Sequence, residues 1–265
     1  MNNIYIYSNK SRSSNETEQL LHKKLDNAGF HVLHRLTKEA DLMVCIGGDG
    51  TFLEAIHKHN FPKVPIFGIN TGHLGFFEEI MPDQLDDFIF HYKQGDYTLQ
   101  DLSTVQIKIY NEDECYEHVG LNEVIVKGAQ SSSIHMNMSI GNSFIERFSG
   151  DGIVVSTPAG STAYNYSLGG SIVDPRLKLL QVTPIAPMNT TAYRAFTSSI
   201  LLPSDLSLNL IPDMQYNNTI AIVSDGYSTV YEGVNSISVG FSDKIVQLMR
   251  FEGYDFWTKV KSKFL

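Results

Sequence analysis

Residues 41–56, Asp-Leu-Met-Val-Cys-Ile-Gly-Gly-Asp-Gly-Thr-Phe-Leu-Glu-Ala-Ile, constrain the fold more than any other stretch. Leu42 to Ile46 is an unbroken apolar run with the length and make-up of a strand buried on both faces. Gly47, Gly48 and Gly50 then bracket a lone carboxylate, Asp49, and Phe52, Leu53, Ala55 and Ile56 recur at helical spacing. Glycines at a strand-to-helix turn let another molecule approach the backbone. The free N–H groups of such a turn, with a helix N-terminus behind them, favour a phosphate. Gly47, Gly48, Gly50 and Thr51 are therefore a candidate phosphate-binding turn. A carboxylate inside that cradle opposes an anion, so Asp49 needs a reason. It either caps the helix or handles a metal ion or a substrate hydroxyl in a phosphoryl-transfer site.

The rest of the N-terminal third alternates strand and helix. Ile4 to Tyr7 reads as a first strand, and Ser13 or Ser14 can cap a helix whose Leu20, Leu21, Leu25 and Ala28 share a face before Gly29. Val32 and Leu33 continue as a short strand. Beyond Pro62 and Pro65, Ile66 to Ile69 is another, followed by a second glycine turn, Asn70-Thr-Gly-His-Leu-Gly-Phe76. Pro82 opens a helix with Leu85, Phe88, Ile89 and Tyr92 inward, and Gly95 closes it. Alternation of this kind builds a parallel sheet with helices on its faces, and such sheets bind ligands at the turns that follow their strands.

Past Tyr97 the texture turns to period two, in Val105 to Tyr110, Ile134 to Ile140 and Ile220 to Val223, with Gly141-Asn142 as a hairpin turn. A short helix is expected between Pro175 and Leu180. The fold class expected is α+β in two domains. An N-terminal α/β, Rossmann-like domain covers residues 1–98, an all-β sandwich covers 99–247, and a tail, 248–265, packs back on the first domain.

The second domain holds the densest run of small and polar residues, from Gly150-Asp-Gly152 through Gly160-Ser-Thr-Ala-Tyr164 to Gly169-Gly170. An aromatic ring, a carboxylate acceptor at Asp151 and exposed amides could together read a purine, whose exocyclic amine donates and whose face stacks. A glycine-rich β-turn with a buried tyrosine accounts for the same run. Asn122-Glu123 precedes the apolar Val124-Ile-Val126, and an amide beside a carboxylate suits ribose hydroxyls, which both donate and accept. The pair can grip a ligand from two sides only if the strand starts there; plain turn polarity is the alternative.

Composition bears mainly on partners. A formal charge of −9 and a pI near 5.4 argue against nucleic acid or an anionic membrane as partner. Any phosphate must instead be met by amides, a few local cations and a divalent ion. No run of about 18 apolar residues marks a membrane-spanning helix, and no signal peptide is visible. Cys45 and Cys115 do not make a disulfide framework, so a reducing cytoplasm is the default. The nine histidines lack ligand spacing for zinc.

Gly47-Gly-Asp-Gly-Thr51, Asn70-Thr-Gly-His-Leu-Gly-Phe76, Asn122-Glu123 and Ser156-Thr-Pro-Ala-Gly-Ser-Thr-Ala-Tyr164 with Gly169-Gly170 stand in the order seen in NAD kinases. The chain resembles that family over roughly residues 40–260, including Thr183 to Pro187 and Arg194. The first motif alone is shared with phosphofructokinases and with diacylglycerol and sphingosine kinases; the Thr-Pro-x-Gly-Ser-Thr-Ala-Tyr run is far more specific. The resemblance implies an α/β domain, a β-sandwich, and a nucleotide in the cleft between them. It implies transfer of a phosphoryl group from ATP or another donor to the adenosine 2′-hydroxyl of NAD, with Mg²⁺ or another divalent cation, in a homotetramer or dimer. Asp49 matches the family's proton acceptor, and Gly50 lies against the dinucleotide. Asn122, Glu123, Asp151, the run Thr162, Ala163, Tyr164, Asn165, Tyr166 and Ser167, and Ala186 match substrate-binding positions. Met188, Asn189 and Ser149 depart from residues common in the family. Two other readings are a lipid kinase of the diacylglycerol or sphingosine type and an NAD(P)-binding sensor without turnover. Against the first stand the polar Asn122-Glu123 pair and the absence of an apolar cleft pattern.

Overall fold

The computed structural model describes residues 2–72, 75–112, 114–189, 194–213, 215–216 and 219–265. His73 and Leu74 of the second glycine turn lie outside them. The chain divides into two units, Met1–Leu102 with Ile245–Leu265, and Ser103–Lys244.

The first unit opens with β1 (Asn3–Ser8), α1 (Arg12–Asn27), β2 (His31–Leu33), β3 (Leu42–Gly47), α2 (Asp49–Lys58), β4 (Ile66–Asn70), β5 (Glu78–Ile80) and α3 (Leu85–Gln94). β3 pairs in parallel with β1 and β4, β1 with β2, and β4 with β5. All six residues of β3 are buried. Leu42, Val44 and Ile46 share a core with Leu21 and Leu25 of α1 and Phe88 and Tyr92 of α3. Met43 and Cys45, equally buried, point to the opposite face by strand alternation. Each such side chain fully removed from water contributes roughly 1.5–3 kcal/mol, which fixes the strand in register and the glycine turn at its end.

α1 differs from the expectation in phase. Its cap is Ser11, whose side chain accepts from Ser14 N at 3.2 Å, and not Ser13 or Ser14. Ser14 lies inside the first turn, buried, with its hydroxyl 2.8 Å from Thr71 Oγ1. The core face then runs through Ser14, Thr17, Leu21 and Leu25, which leaves Leu20 44% exposed.

β6 (Thr98–Tyr110) carries the chain into the second unit, followed by β7 (Cys115–Gly120), β8 (Glu123–Gly128), β9 (Ile134–Ile140), β10 (Ser143–Gly150) and β11 (Gly152–Ser156). After the short helix α4 (Tyr164–Ser167) come β12 (Leu179–Ile185), β13 (Ile200–Pro203), β14 (Leu208–Pro212), β15 (Ile220–Ser224), β16 (Tyr227–Tyr231) and β17 (Ser236–Arg250). One antiparallel sheet has the order β13-β12-β11-β8-β15-β16. In the other, β10-β9-β14-β17 run side by side, with β6 beside β17 and β7 beside β6. Val124, Val126, Val155, Leu180 and Ile222 of the first sheet meet Ile107, Met136, Met138, Leu208 and Val239 of the second in one core. The unit is a β-sandwich.

Two expectations are corrected here. Ile220 to Val223 do not alternate between core and solvent, because Ile125, Val154 and Val223 form a second cluster on the sheet's other face, under Leu168 and Ile185. No helix forms between Pro175 and Leu180. Asp174 Oδ1 accepts from Arg176 N at 3.0 Å and from Arg176 Nε at 2.8 Å, and this side-chain-closed turn competes with helix at that point.

β17 returns the chain to the first unit, where Leu248 pairs with Ile66. α5 (Phe256–Phe264) follows, capped by Asp255, which accepts from Thr258 N at 2.7 Å. The rings of Phe256 and Phe264 pack 5.9 Å and 6.1 Å from that of Phe76. Among the described residues no helix is long and apolar enough to cross a membrane.

Candidate active site

Asp49 is not a helix cap. Gly48 occupies that position with no side-chain cap bond, and Asp49 is the first residue of α2. Its Oδ1 accepts instead from Phe76 N at 2.8 Å and Phe77 N at 3.1 Å, and its Oδ2 faces Lys263 Nζ at 3.1 Å. The side chain keeps 28% of its surface exposed. Arg250, itself buried, donates to the Phe76 carbonyl at 3.1 Å and to Glu79 Oε2 at 3.0 Å. The 75–77 turn is thus held at its amides by Asp49 and at a carbonyl by Arg250, which fixes the rotamer of the aspartate.

The glycine turn has room above it. A side chain placed on Gly48 or Gly50 would meet nothing within 4 Å. At the first positions of a helix the amides have no carbonyl of their own helix to donate to, so those of Asp49 and Gly50 can meet an anion there. Gly47 ends β3, and its carbonyl accepts from Thr71 N at 3.0 Å. Thr51 is buried under the turn and accepts from Asn9 Nδ2 at 3.0 Å, so it braces the turn from below.

Glu78 lies beside Asp49 at 3% exposure, with Oε2 unpartnered. Burial, and then the Asp49 carboxylate, push its carboxyl up to about 8. Lys259 donates to the Glu78 carbonyl oxygen; burial, and then Arg250, push its ammonium down to about 8.

In the second unit β8 begins at Glu123, the condition under which Asn122 and Glu123 can face a ligand together. Both are buried, and Asn122 Oδ1 and Glu123 Oε2 have no hydrogen-bond partner. Asp225 is the reason the pair sits still. Its carboxylate accepts from Leu121 N at 2.7 Å, Asn122 N at 2.8 Å and Glu123 N at 3.1 Å. Burial, and then Asp225, push the Glu123 carboxyl up to about 8.

The glycine-rich run lies against this pair. Thr157 N donates to the Asn122 carbonyl at 2.9 Å, and a Cβ on Gly160 would collide with the Asn122 backbone, so only glycine allows the approach. Of the expected run, Thr162 and Ala163 are half-buried, and Tyr164, Tyr166 and Ser167 are exposed. Asn165 is buried and accepts from Thr183 Oγ1 at 2.6 Å, which places it under Gly170 as a brace. Asp151 and Tyr164 line one pocket with Lys127, Gln130 and Ile185. Ala186 adopts φ 43°, a left-handed conformation that costs a non-glycine residue of order 1–3 kcal/mol and concentrates at functional sites.

Sequence reasoning missed Glu78, Arg250, Lys259, Lys263 and Asp225. Asp225-Gly226 is legible as a hairpin turn, but its grip on residues about a hundred positions away is not. The others reach Asp49 only through the fold.

The model of the ATP-NAD kinase N-terminal domain matches residues 4–97, and that of the ATP-NAD kinase C-terminal domain matches residues 121–250. The chain is 39% identical to the NAD kinase of Finegoldia magna, over 99% of this chain and 97% of that protein. Its fold is similar to that of yeast NADH kinase solved with NADH, at a TM-score of 0.84 and 20% identity, covering 99% of this chain and 87% of the other. It is also similar to an Archaeoglobus fulgidus NAD kinase solved with ATP, at a TM-score of 0.78 and 22% identity, covering 99% of both. With both domain models matched in order and a relative of this identity aligned end to end, the chain belongs to the ATP-NAD kinase family.

Proposed function

We propose that this chain is an NAD kinase that transfers the terminal phosphoryl group of ATP to the adenosine 2′-hydroxyl of NAD, giving NADP. The observation that carries the reading is the placement of Asp49, whose Oδ1 is fixed by the Phe76 and Phe77 amides at the start of α2 while part of the carboxylate stays exposed. Asp49 takes the proton from the ribose hydroxyl as its oxygen bonds to the terminal phosphorus. The bond from that phosphorus to the bridging oxygen breaks, and ADP leaves with the electron pair. The Asp49 and Gly50 amides hold phosphate oxygens.

The second unit supplies recognition. Asn122 Oδ1 accepts from a ribose hydroxyl, and Glu123, neutral near pH 7 by its raised pKa, can donate to or accept from another without repelling the dinucleotide phosphates. Asp151 accepts from the adenine amine beside the Tyr164 ring, and Thr162, Ala163, Tyr166, Ser167 and Ala186 shape the surrounding surface. The described residues contain no group of three or more His, Cys, Asp or Glu side chains that could hold a metal ion. A Mg²⁺ ion carried mainly by substrate phosphates needs only one or two protein carboxylates, and Asp49 can supply one. When bound, the ion neutralises charge on the donor phosphates.

Incubating the purified protein with NAD, ATP and Mg²⁺ and measuring NADP tests the reading; absence of NADP from folded protein overturns it. We also place the chain in a reducing cytoplasm, in keeping with two free thiols. The exposed Phe144, Ile145, Leu201 and Ile211 of the second unit support a homotetramer or dimer of closed symmetry. Light scattering at the 29.7 kDa monomer mass would overturn that assembly.

A further inference from the structure

Lys263 faces Asp49 from the last turn of α5, and the phosphoryl transfer described above gives it no part. Its Nζ lies 3.1 Å from Asp49 Oδ2, the oxygen left over when Oδ1 accepts from Phe76 N and Phe77 N. While that contact lasts, an ammonium occupies the edge of the carboxylate that would take a hydroxyl proton. The contact is weakly held. The two side chains are 34% and 28% exposed, and an ion pair that open is screened by water. The ammonium also lies 4.7 Å from the centre of the Phe76 ring, an attraction that fixes no hydrogen-bond geometry. The other cations nearby are committed. Arg250 is buried and engages Glu79, Gln100 and the Phe76 carbonyl. Lys259, one helical turn before Lys263, donates to the Glu78 carbonyl oxygen. Residues 47–50 contain no lysine or arginine, and the chain carries a formal charge of −9. Amides at the start of α2 can orient a phosphate, but their partial charges leave most of a triphosphate's charge unmet.

We propose that Lys263 is a catalytic residue that exchanges partners, pairing with Asp49 until the triphosphate arrives and then moving to the donor's terminal phosphate. The Asp49 amide and the Asp49 carboxylate belong to one residue, so a phosphate on that amide comes within the swing of the Lys263 stem. Gly48 and Gly50 leave the space above the turn open. The exchange has two consequences. A compact ammonium with three donors meets the phosphoryl oxygens, over which charge is spread in the transition state. Asp49 Oδ2 is released to accept the ribose proton. Lys263 keeps its own protons throughout, and the electron pair of the broken bond leaves with ADP as before. Donor binding thereby readies the base. The catalytic consequence rests on the NAD kinase reading; the contact with a terminal phosphate does not.

Titration calorimetry of Lys263→Met with ATP, ADP and NAD in turn, each with Mg²⁺, tests the contact. ATP affinity should fall about tenfold or more, while ADP and NAD affinities change less than about threefold, because only ATP carries the terminal phosphate. In NADP formation kcat should fall at least about tenfold. Lys263→Arg keeps the charge and should recover most of both losses. A double-mutant cycle reads the exchange itself. Asp49→Asn removes the partner that holds Lys263 back, so it should tighten ATP binding more in the wild-type background than in Lys263→Met. A lysine that stays on Asp49 gives the opposite order, since an unneutralised Asp49 repels ATP most in Lys263→Met. Equal losses of ATP and ADP affinity, a loss confined to NAD, unchanged ATP affinity, or the opposite order in the cycle overturns the proposal. A wild-type protein that makes no NADP overturns the kinase reading instead, and the comparison of ATP with ADP still decides the Lys263 contact.

Discussion

The two units each contain an aspartate that accepts backbone amides beside a buried glutamate held near 8. In the first unit Asp49 takes two amides and Glu78 is its neighbour. In the second, Asp225 takes three amides and Glu123 is its neighbour. They differ in what is left over. Both Asp225 oxygens are committed to the turn before β8, and the residue is 9% exposed. Asp49 gives one oxygen to amides and presents the other to Lys263 at a partly open surface. Under the proposed function, the same residue type is structural in one place and chemical in the other. The spare oxygen and its access decide which.

The largest expected effect tests the chemical half. Asp49→Asn keeps shape and hydrogen-bond acceptance but cannot take the proton, so kcat should fall about 10²–10⁴-fold, the usual worth of a positioned base. NAD affinity should change less than about tenfold. Single-turnover rates within threefold of wild type, in folded protein, would erase the contrast with Asp225.

The structural half should respond in stability. Asp225→Ala strips three amides of their acceptor and puts alanine at φ 45°, and about 3 kcal/mol or more should be lost. Urea unfolding reads this directly. A normal denaturation midpoint would mean that water replaces Asp225 and that the turn holds itself.

Asp151 is the exposed carboxylate against which both pairs can be gauged. Asp151→Ala should weaken NAD binding by roughly 1.5–3 kcal/mol, the range for a hydrogen bond to a charged group, with stability unchanged. Unaltered affinity by titration calorimetry removes Asp151 from adenine recognition.

The glutamates make the two pairs alike again, and pH tests that likeness. In the folded protein Glu78 and Glu123 keep their protons to about pH 8, whereas in the unfolded chain they lose them near the ordinary 4.5. Between those values the folded state binds more protons, so stability is greatest below the unfolded value and falls as pH rises. Each group should contribute a slope of up to about 1.4 kcal/mol per pH unit, and the contribution is gone above the folded value. Thermal melts from pH 5 to 8 should show Glu78→Gln and Glu123→Gln each flattening the decline. A decline blunted by one variant and not the other breaks the parallel.

The smallest effect on stability is expected at Lys263. Its ion pair with Asp49 is about one-third exposed on both sides, and such pairs contribute about 0–1 kcal/mol. Lys263→Met should leave the melting temperature almost unmoved. A large loss would make the α5 contact part of the fold's support.

Local sequence determined the elements that carry the site. The apolar run from Leu42 to Ile46 had to be a doubly buried strand, and the glycines after it had to turn into α2, because burial periodicity and backbone sterics act over a few residues. Asn122-Glu123 at a strand mouth and the run ending at Gly170 were legible for the same reason, and their order pointed to the NAD kinase family. The phase of α1 was not, since Ser11, Ser13 and Ser14 are all good caps and only packing against the sheet and α3 selects among them. Nor was the Asp174 turn where a helix was expected. The partners of the key carboxylates lay furthest out of reach. Asp225 holds residues 121–123, and Lys263 reaches Asp49 from the last turn of the chain. Hydrogen bonds and desolvation depend on separation in space, so the tertiary structure alone decided which aspartate keeps an oxygen clear of backbone amides and which glutamates are pushed toward the protonated form.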